Sequence, residues 1–232
     1  DILYNSLPDT HKQILTTQYR MIENIGNLIS KVFYRGIIDT GCNDDEKRHG
    51  LSRYVGKSIV WFDTSANKKK SQKRTKGGSY INEEEKRIIL EILDDLKSTG
   101  ELKGLDIGII TGYSGQKELL RKSIKATGLD KIASKIDINT LDAFQGREND
   151  IIIYSTVRTR DSIGFQKEKE RVNVAFSRAK KLLIVCGDKN FFYNFDDQDN
   201  KFVEIIDYIS EEEECEIIQC DGGKLFERES NS

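Results

Sequence analysis

The chain has 232 residues, 37% hydrophobic and 33% charged, with the apolar residues gathered into short dense runs that suffice for one generous domain. A net charge of −2 excludes a global basic field of the kind that drives indiscriminate polyanion binding, so any such site is a local patch. No apolar run reaches membrane-spanning length, no signal peptide opens the chain, and neither the four cysteines nor the two histidines have zinc-ligand spacing, so neither a membrane partner nor a metal site is expected.

The elements alternate. Ile22, Ile25, Ile29, Val32 and Phe33 recur at helical spacing. Residues 39–57 are polar and glycine-punctuated and read as a surface loop. Ser58–Phe62 is a β-rich run. Residues 64–79 carry Lys68, Lys69, Lys70, Lys73, Arg74 and Lys76 with no aromatic among them, and read as a flexible solvated loop rather than a dedicated binding patch. Asn82 is placed as an N-cap with Glu85 as its capping-box partner, ahead of Ile88, Ile89, Ile92, Leu93 and Leu96. Asp106–Thr111 is the next strand, and Ser114 opens a helix through Leu119, Leu120 and Ile124. Further strands follow at Ile136–Thr140, Asp150–Thr156 and Leu182–Gly187, with a weaker one at Glu216–Gln219. Runs such as IGII and IIIY are apolar on both faces, which marks parallel strands covered on both sides. The expectation is an α/β, doubly wound, mainly parallel sheet, as one domain over 1–232 with its core at about 15–220 and a frayed tail at 222–232.

Four stretches carry chemistry. Gln18-Tyr19-Arg20-Met21 sets a ring beside a guanidinium, a pairing that suits a nucleotide. Thr111-Gly112-Tyr113 ends a strand ahead of a helix N-terminus, whose free amides favour phosphate. Gln145-Gly146-Arg147-Glu148 turns into a buried strand, with Gly146 allowing the tight turn. RVNVAFSRAK places Arg171 and Arg178 two helical turns apart on one face. Each stretch taken alone has an ordinary structural explanation. No G-x-x-x-x-G-K-S/T loop is present to cradle a triphosphate.

Together and in order, from about Leu15 to Asp188, QYRM, the turn before Gln116, DAFQGRE and NVAFSRAK resemble the second RecA-like domain of superfamily 1 helicases, in the branch of the nonsense-mediated-decay RNA helicase. The chain departs from that pattern at Gly112, where the family usually has Pro, and at Ser177 and Lys180, where Thr and Arg are usual. The resemblance implies a RecA-like P-loop NTPase fold and ATP with Mg2+ held mainly by an upstream RecA-like domain of the same polypeptide. It also implies single-stranded DNA or RNA as partner. Arg178 would be the arginine finger, Arg20 would approach the γ-phosphate and Tyr19 would stack on adenine. Glu148 would hold the ribose, while Gln145 and Gly146 would link the two ligand sites. Thr111, Tyr113 and Thr140, with Ser79 and Asn82 of SYINEEEK, would lie near the bound strand. A chain that opens on Asp is expected to be a piece of a longer protein, inactive as an ATPase by itself, from the cytoplasm or nucleus. The alternative is a non-catalytic nucleic-acid-binding or regulatory module. A phosphate loop upstream of Asp1 would discriminate between the two.

Overall fold

The computed structural model describes residues 16–42, 47–101, 104–129, 135–144 and 146–226. Ten strands and six helices follow in chain order: β1 Thr17–Gln18, α1 Glu23–Tyr34, β2 Asp39–Thr40, β3 Ile59–Asp63, β4 Lys73–Arg74, β5 Tyr80–Ile81, α2 Glu83–Ser98, β6 Asp106–Thr111, α3 Ser114–Thr127, β7 Lys135–Thr140, β8 Asn149–Ser155, α4 Lys169–Phe176, β9 Ala179–Gly187, α5 Lys189–Tyr193, α6 Phe202–Glu211 and β10 Cys215–Gln219. β10, β3, β9, β8, β6 and β7 lie side by side in that order, and every neighbouring pair is parallel. Among the described residues the antiparallel pairing is confined to the small hairpin β4–β5.

The period of two in each strand divides the core. Ile59, Trp61, Ile152, Tyr154, Leu183 and Val185 pack under α1, α4 and α6. Val60, Phe62, Ile151, Ile153, Leu182 and Ile184 pack under α2 and α3. Both sheet faces are therefore dry, which is why the strands read as unbroken apolar runs. This is the doubly wound arrangement expected from the sequence. Helices α5 and α6 were not among the predicted elements, although Phe202, Ile205, Ile206 and Ile209 stand at helical spacing and are buried.

Three local expectations change. First, α4 ends at Phe176, and Ser177 and Arg178 form the turn into β9, so Arg171 and Arg178 do not share a helix face. Arg171 instead pairs with Glu168 at 2.8 Å and lies over the Phe165 ring. Second, Asn82 caps α2 by accepting from Glu84 N–H and Glu85 N–H, but Glu85 does not reach back to its N–H. Gln116 Oε1 accepts from Asn82 N–H instead, at 2.8 Å, and Glu85 turns into the protein. Third, the basic segment 64–79 is tied down. Asn67 and Gln72 are buried, Gln72 exchanges two hydrogen bonds with Thr159, and Asn82 Nδ2 donates to Lys70 O at 2.7 Å.

Candidate functional site: a charged rim and the opposite strand edge

The rim lies where β8 and β9 begin. Gly146, at φ +83°, makes the turn before β8 in a region that side-chain-bearing residues rarely adopt. Glu148 then stands beside the strand start, and its Oε2 accepts from Arg20 Nε at 2.7 Å across 128 positions of sequence. Arg20 Nη1 also reaches Ser177 O at 3.4 Å. Arg178 is fixed by Nε donating to Val174 O at 3.0 Å. Partial burial lowers the Arg178 pKa, the neighbouring Arg20 charge lowers it further, and Glu148 opposes both. Two guanidiniums and one carboxylate thus share a small, half-exposed patch. Such a patch has spare positive charge for an anion and one acceptor for a hydroxyl.

The Tyr19–Arg20 segment is seated by residues that the motif alone does not reveal. Gln18 Oε1 accepts from Arg20 N–H and Met21 N–H, while Gln18 Nε2 donates to Met21 O and Thr40 Oγ1. Gly26 in α1 leaves room for this clamp, since a Cβ there would collide with Thr40 Oγ1 and Gln18 Nε2. Ile22 N–H donates to Lys180 O at 2.8 Å and ties the segment to β9. Lys47 Nζ holds the carbonyls of Tyr19 and Arg20. The Tyr19 ring is left 67% exposed, an unusual position for a large apolar surface and a free platform for a flat ligand. The recurring signal for Gln18 in the sequence is only its place in QYRM. Gln145 lies outside the described residues.

The other predicted residues gather at the opposite end of the sheet, where the strands finish. Seven residues of β8 separate the two ends, a distance of about 20 Å. Thr111 and Thr140 are register partners at the ends of β6 and β7. Tyr113 is buried between the rings of Tyr80 and Phe165, at 5.6 and 5.5 Å. Ser79 Oγ accepts from Gly115 N–H at 3.0 Å, so one amide of the α3 N-terminus is already occupied. Thr111 and Asn82 are fully enclosed and support this edge without presenting side chains to it. Beneath them Glu85, also fully buried, accepts from Ser155 Oγ, Thr156 Oγ1 and Val157 N–H at 2.6–3.1 Å. Burial pushes the Glu85 carboxyl up to about 8, against the pull of these hydrogen bonds. Val157, whose N–H it binds, sits at φ +69°, a strained value for a β-branched residue. Among the described residues no cluster of three or more His, Cys, Asp or Glu is placed to hold a metal ion, and no helix is long and apolar enough to cross a membrane.

A family model described as AAA domain (AAA_12) matches residues 2–190. The chain belongs to this family, in the superfamily 1 helicase branch. It is 36% identical over 185 residues to the helicase SEN1 of Saccharomyces cerevisiae, covering 75% of this chain and 8% of that protein. It is 33% identical over 220 residues to an ATP-dependent helicase of Methanocaldococcus jannaschii, covering 89% of this chain and 31% of that protein. Against the ATP-dependent helicase NAM7 of S. cerevisiae it is 32% identical over 182 residues, 75% of this chain and 18% of the relative. The chain therefore spans under a third of the length of these relatives. The C-terminal domain of a possible DNA helicase from a Lactobacillus superposes with a TM-score of 0.43 at 14% identity, covering 74% of this chain and 88% of that one. That likeness is too distant to carry weight. Its parallel six-stranded sheet with helices on both faces is the α/β architecture expected of a domain in the branch that its four motifs resemble.

Proposed function

We propose that this domain supplies one wall of an ATP site closed by an upstream RecA-like domain of the same polypeptide, in a helicase or translocase that moves along single-stranded DNA or RNA. The observation that carries the reading is the Arg20–Glu148 pair with Arg178 alongside, assembled from three distant segments at one end of the sheet. The site fits a nucleotide. Its exposed ring is placed for stacking, two fixed cations suit polyphosphate, and one carboxylate suits a ribose hydroxyl. ATP bound with Mg2+ by the upstream domain would supply the phosphoryl group to be hydrolysed, and the described residues offer no carboxylate cluster for the metal.

In this reading Arg178 stabilises charge that develops on the transferring phosphoryl group. Its side chain stays charged and is already anchored through Nε, so little ordering is left to be done. Arg20 acts beside it, and on closure Glu148 exchanges the Arg20 contact for a ribose hydroxyl. Gly146 turns the chain so that Glu148 faces the rim. Gln145 links rim and strand edge as the resemblance implies. The bound strand runs over the far edge, past Ser79, Tyr113 and Thr140, with Thr111 and Asn82 bracing it.

The decisive experiment is Arg178→Ala in a polypeptide carrying both RecA-like domains. ATP turnover stimulated by single-stranded nucleic acid should fall ~10³–10⁵-fold. The melting temperature should stay within a few degrees of the parent. Near-normal turnover in the variant would remove the arginine-finger assignment. Robust Mg2+-dependent turnover by residues 1–232 alone would refute the division of labour between domains.

A further inference from the structure

The cations of the basic segment after β3 belong to none of the motifs. Between Thr64 and Ser79 it holds six cations and no carboxylate, in a chain whose net charge is −2. The cations are presented on a fixed frame. Asn67 Oδ1 accepts from Lys69 N–H, Gln72 and Thr159 exchange hydrogen bonds, and β4 pairs with β5. Lys70 is taken by Asp188 at 2.8 Å. Lys68, Lys69, Lys73, Arg74 and Lys76 have no carboxylate within ion-pair distance among the described residues. All five are exposed. Lys69 and Lys73 share a groove with Glu83, Glu84, Glu91 and Asp94 of α2, where Glu83 pairs with Lys86 and both Glu84 and Glu91 pair with Arg87.

The hairpin also has a defined place. Tyr80 packs edge-on against Tyr113, and Arg158 lies over the Tyr80 ring at 4.2 Å. Arg74 is the register partner of Tyr80, so both side chains leave the hairpin on the same face. Gly115 at the start of α3 leaves space for Thr75 and Ile81. Phe165, 46% exposed, continues the row beyond Tyr113. Arg74 thus stands on the same hairpin face as the Tyr80 ring at the end of the sheet away from the rim, while Lys73 leaves the hairpin on the opposite face. Cations alone would serve any polyanion. Rings interleaved with guanidiniums favour a ligand with both phosphates and stackable bases.

We propose that the segment Lys68–Lys76 is a phosphate-backbone clamp for single-stranded nucleic acid, extending the strand path beyond the motif residues through Lys68, Lys69, Lys73, Arg74 and Lys76. This rests on the strand-edge reading given under the proposed function. It adds a site that the helicase motifs do not contain, built from a stretch whose backbone is anchored while its cations face solvent.

The test is the salt dependence of binding of fluorescent dT20 and U20 oligonucleotides to the polypeptide carrying both domains. Lys68, Lys69, Lys73, Arg74 and Lys76 are all changed to Gln in one variant. A control carries Lys122→Gln and Lys125→Gln on the exposed side of α3. Each phosphate contact contributes ~0.7 to the slope of log affinity against log salt for a single strand. The hairpin variant should lose ~2–3.5 from that slope and bind at least ~10-fold more weakly near 0.1 M salt, with an unchanged melting temperature. The control should keep the parent slope. If the parent binds and the hairpin variant keeps its slope, the clamp is wrong while the strand-edge reading stands. If the parent binds neither oligonucleotide, the strand-edge reading itself falls and takes the clamp with it. If poly-glutamate binds as tightly as dT20 and loses affinity equally in the hairpin variant, the segment is an acidic-protein surface and the proposal is overturned.

Discussion

The two ends of the sheet solve different physical problems. At the rim, the working groups are exposed and charged, and they are placed by short local devices: the Gln18 clamp, the glycine turn at Gly146 and the Arg178 contact to Val174 O. At the far edge one inner set of polar groups is buried and mutually satisfied. Asn82, Glu85, Gln116, Ser155 and Thr156 form one network that also holds a strained Val157. The rim can give up its contacts to a ligand cheaply, because water competes for them already. The edge cannot, because any lost partner leaves a dry donor or acceptor. On the proposed reading both properties are needed: a surface that rearranges on each cycle and a frame that does not.

The sharpest contrast is between Arg178→Ala and Glu85→Ala. The first should remove ~10³-fold or more of turnover and leave stability nearly untouched. The second should do the reverse. It strands the Val157 N–H and the Ser155 and Thr156 hydroxyls in a closed site, at a cost on the order of 3 kcal/mol. For a domain of this size that is ~6–12 °C in melting temperature by calorimetry. A Glu85→Ala protein that melts like the parent would mean that the edge is as adaptable as the rim, and the comparison would collapse.

Glu85 also gives the edge a pH signature. Its folded pKa, raised to about 8 by burial, lies above the unfolded value near 4.5. Its contribution to stability is therefore complete below 4.5 and drains away as pH rises through about 8, because the unfolded chain releases a proton that the folded protein keeps. Above that the contribution is flat. Asp188 adds like-charge repulsion in the same direction. Chemical denaturation from pH 5 to 9 should show the parent losing stability relative to Glu85→Gln, which has no proton to lose. Parallel curves would show that the carboxyl titrates near its ordinary value, with the hydrogen bonds outweighing burial.

The framework was legible in the sequence for a simple reason. Parallel strands covered on both faces must be apolar throughout, so Asp106–Thr111 and the strand around Ile151–Tyr154 announce themselves. The rim was legible through motif order, since no local property of Arg20 or Glu148 says that the two meet. The edge was not. Glu85 reads as the capping-box partner of Asn82 in an acidic first turn, and only the placement of β8 and the residues after it turns Glu85 inward. The same holds for the basic segment. Its anchors, Asn67 and Gln72, are lone polar residues among lysines, and the Gln72 partner Thr159 lies 87 positions away. Arg178 shows a third kind of failure: helical spacing from Arg171 was real, but the helix stopped before it applied.

The smallest effect is the most diagnostic for the rim. Arg20 and Glu148 are 39% and 47% exposed, so their pair should contribute ~0–1 kcal/mol to stability. A double-mutant cycle with Arg20→Ala and Glu148→Gln, read by denaturant unfolding, should return a coupling within that range and shrinking with added salt. The same two changes should each reduce nucleotide-dependent turnover, because on the proposed reading each side chain takes a second partner when the site closes. Glu148→Gln should act mainly on KM if the carboxylate only holds the sugar, whereas Arg20→Ala should act on kcat if its charge is felt at the phosphoryl group. A coupling of several kcal/mol would instead mark the pair as a structural clasp, one too costly to open on every turnover. The rim would then belong with the far edge as frame rather than moving surface.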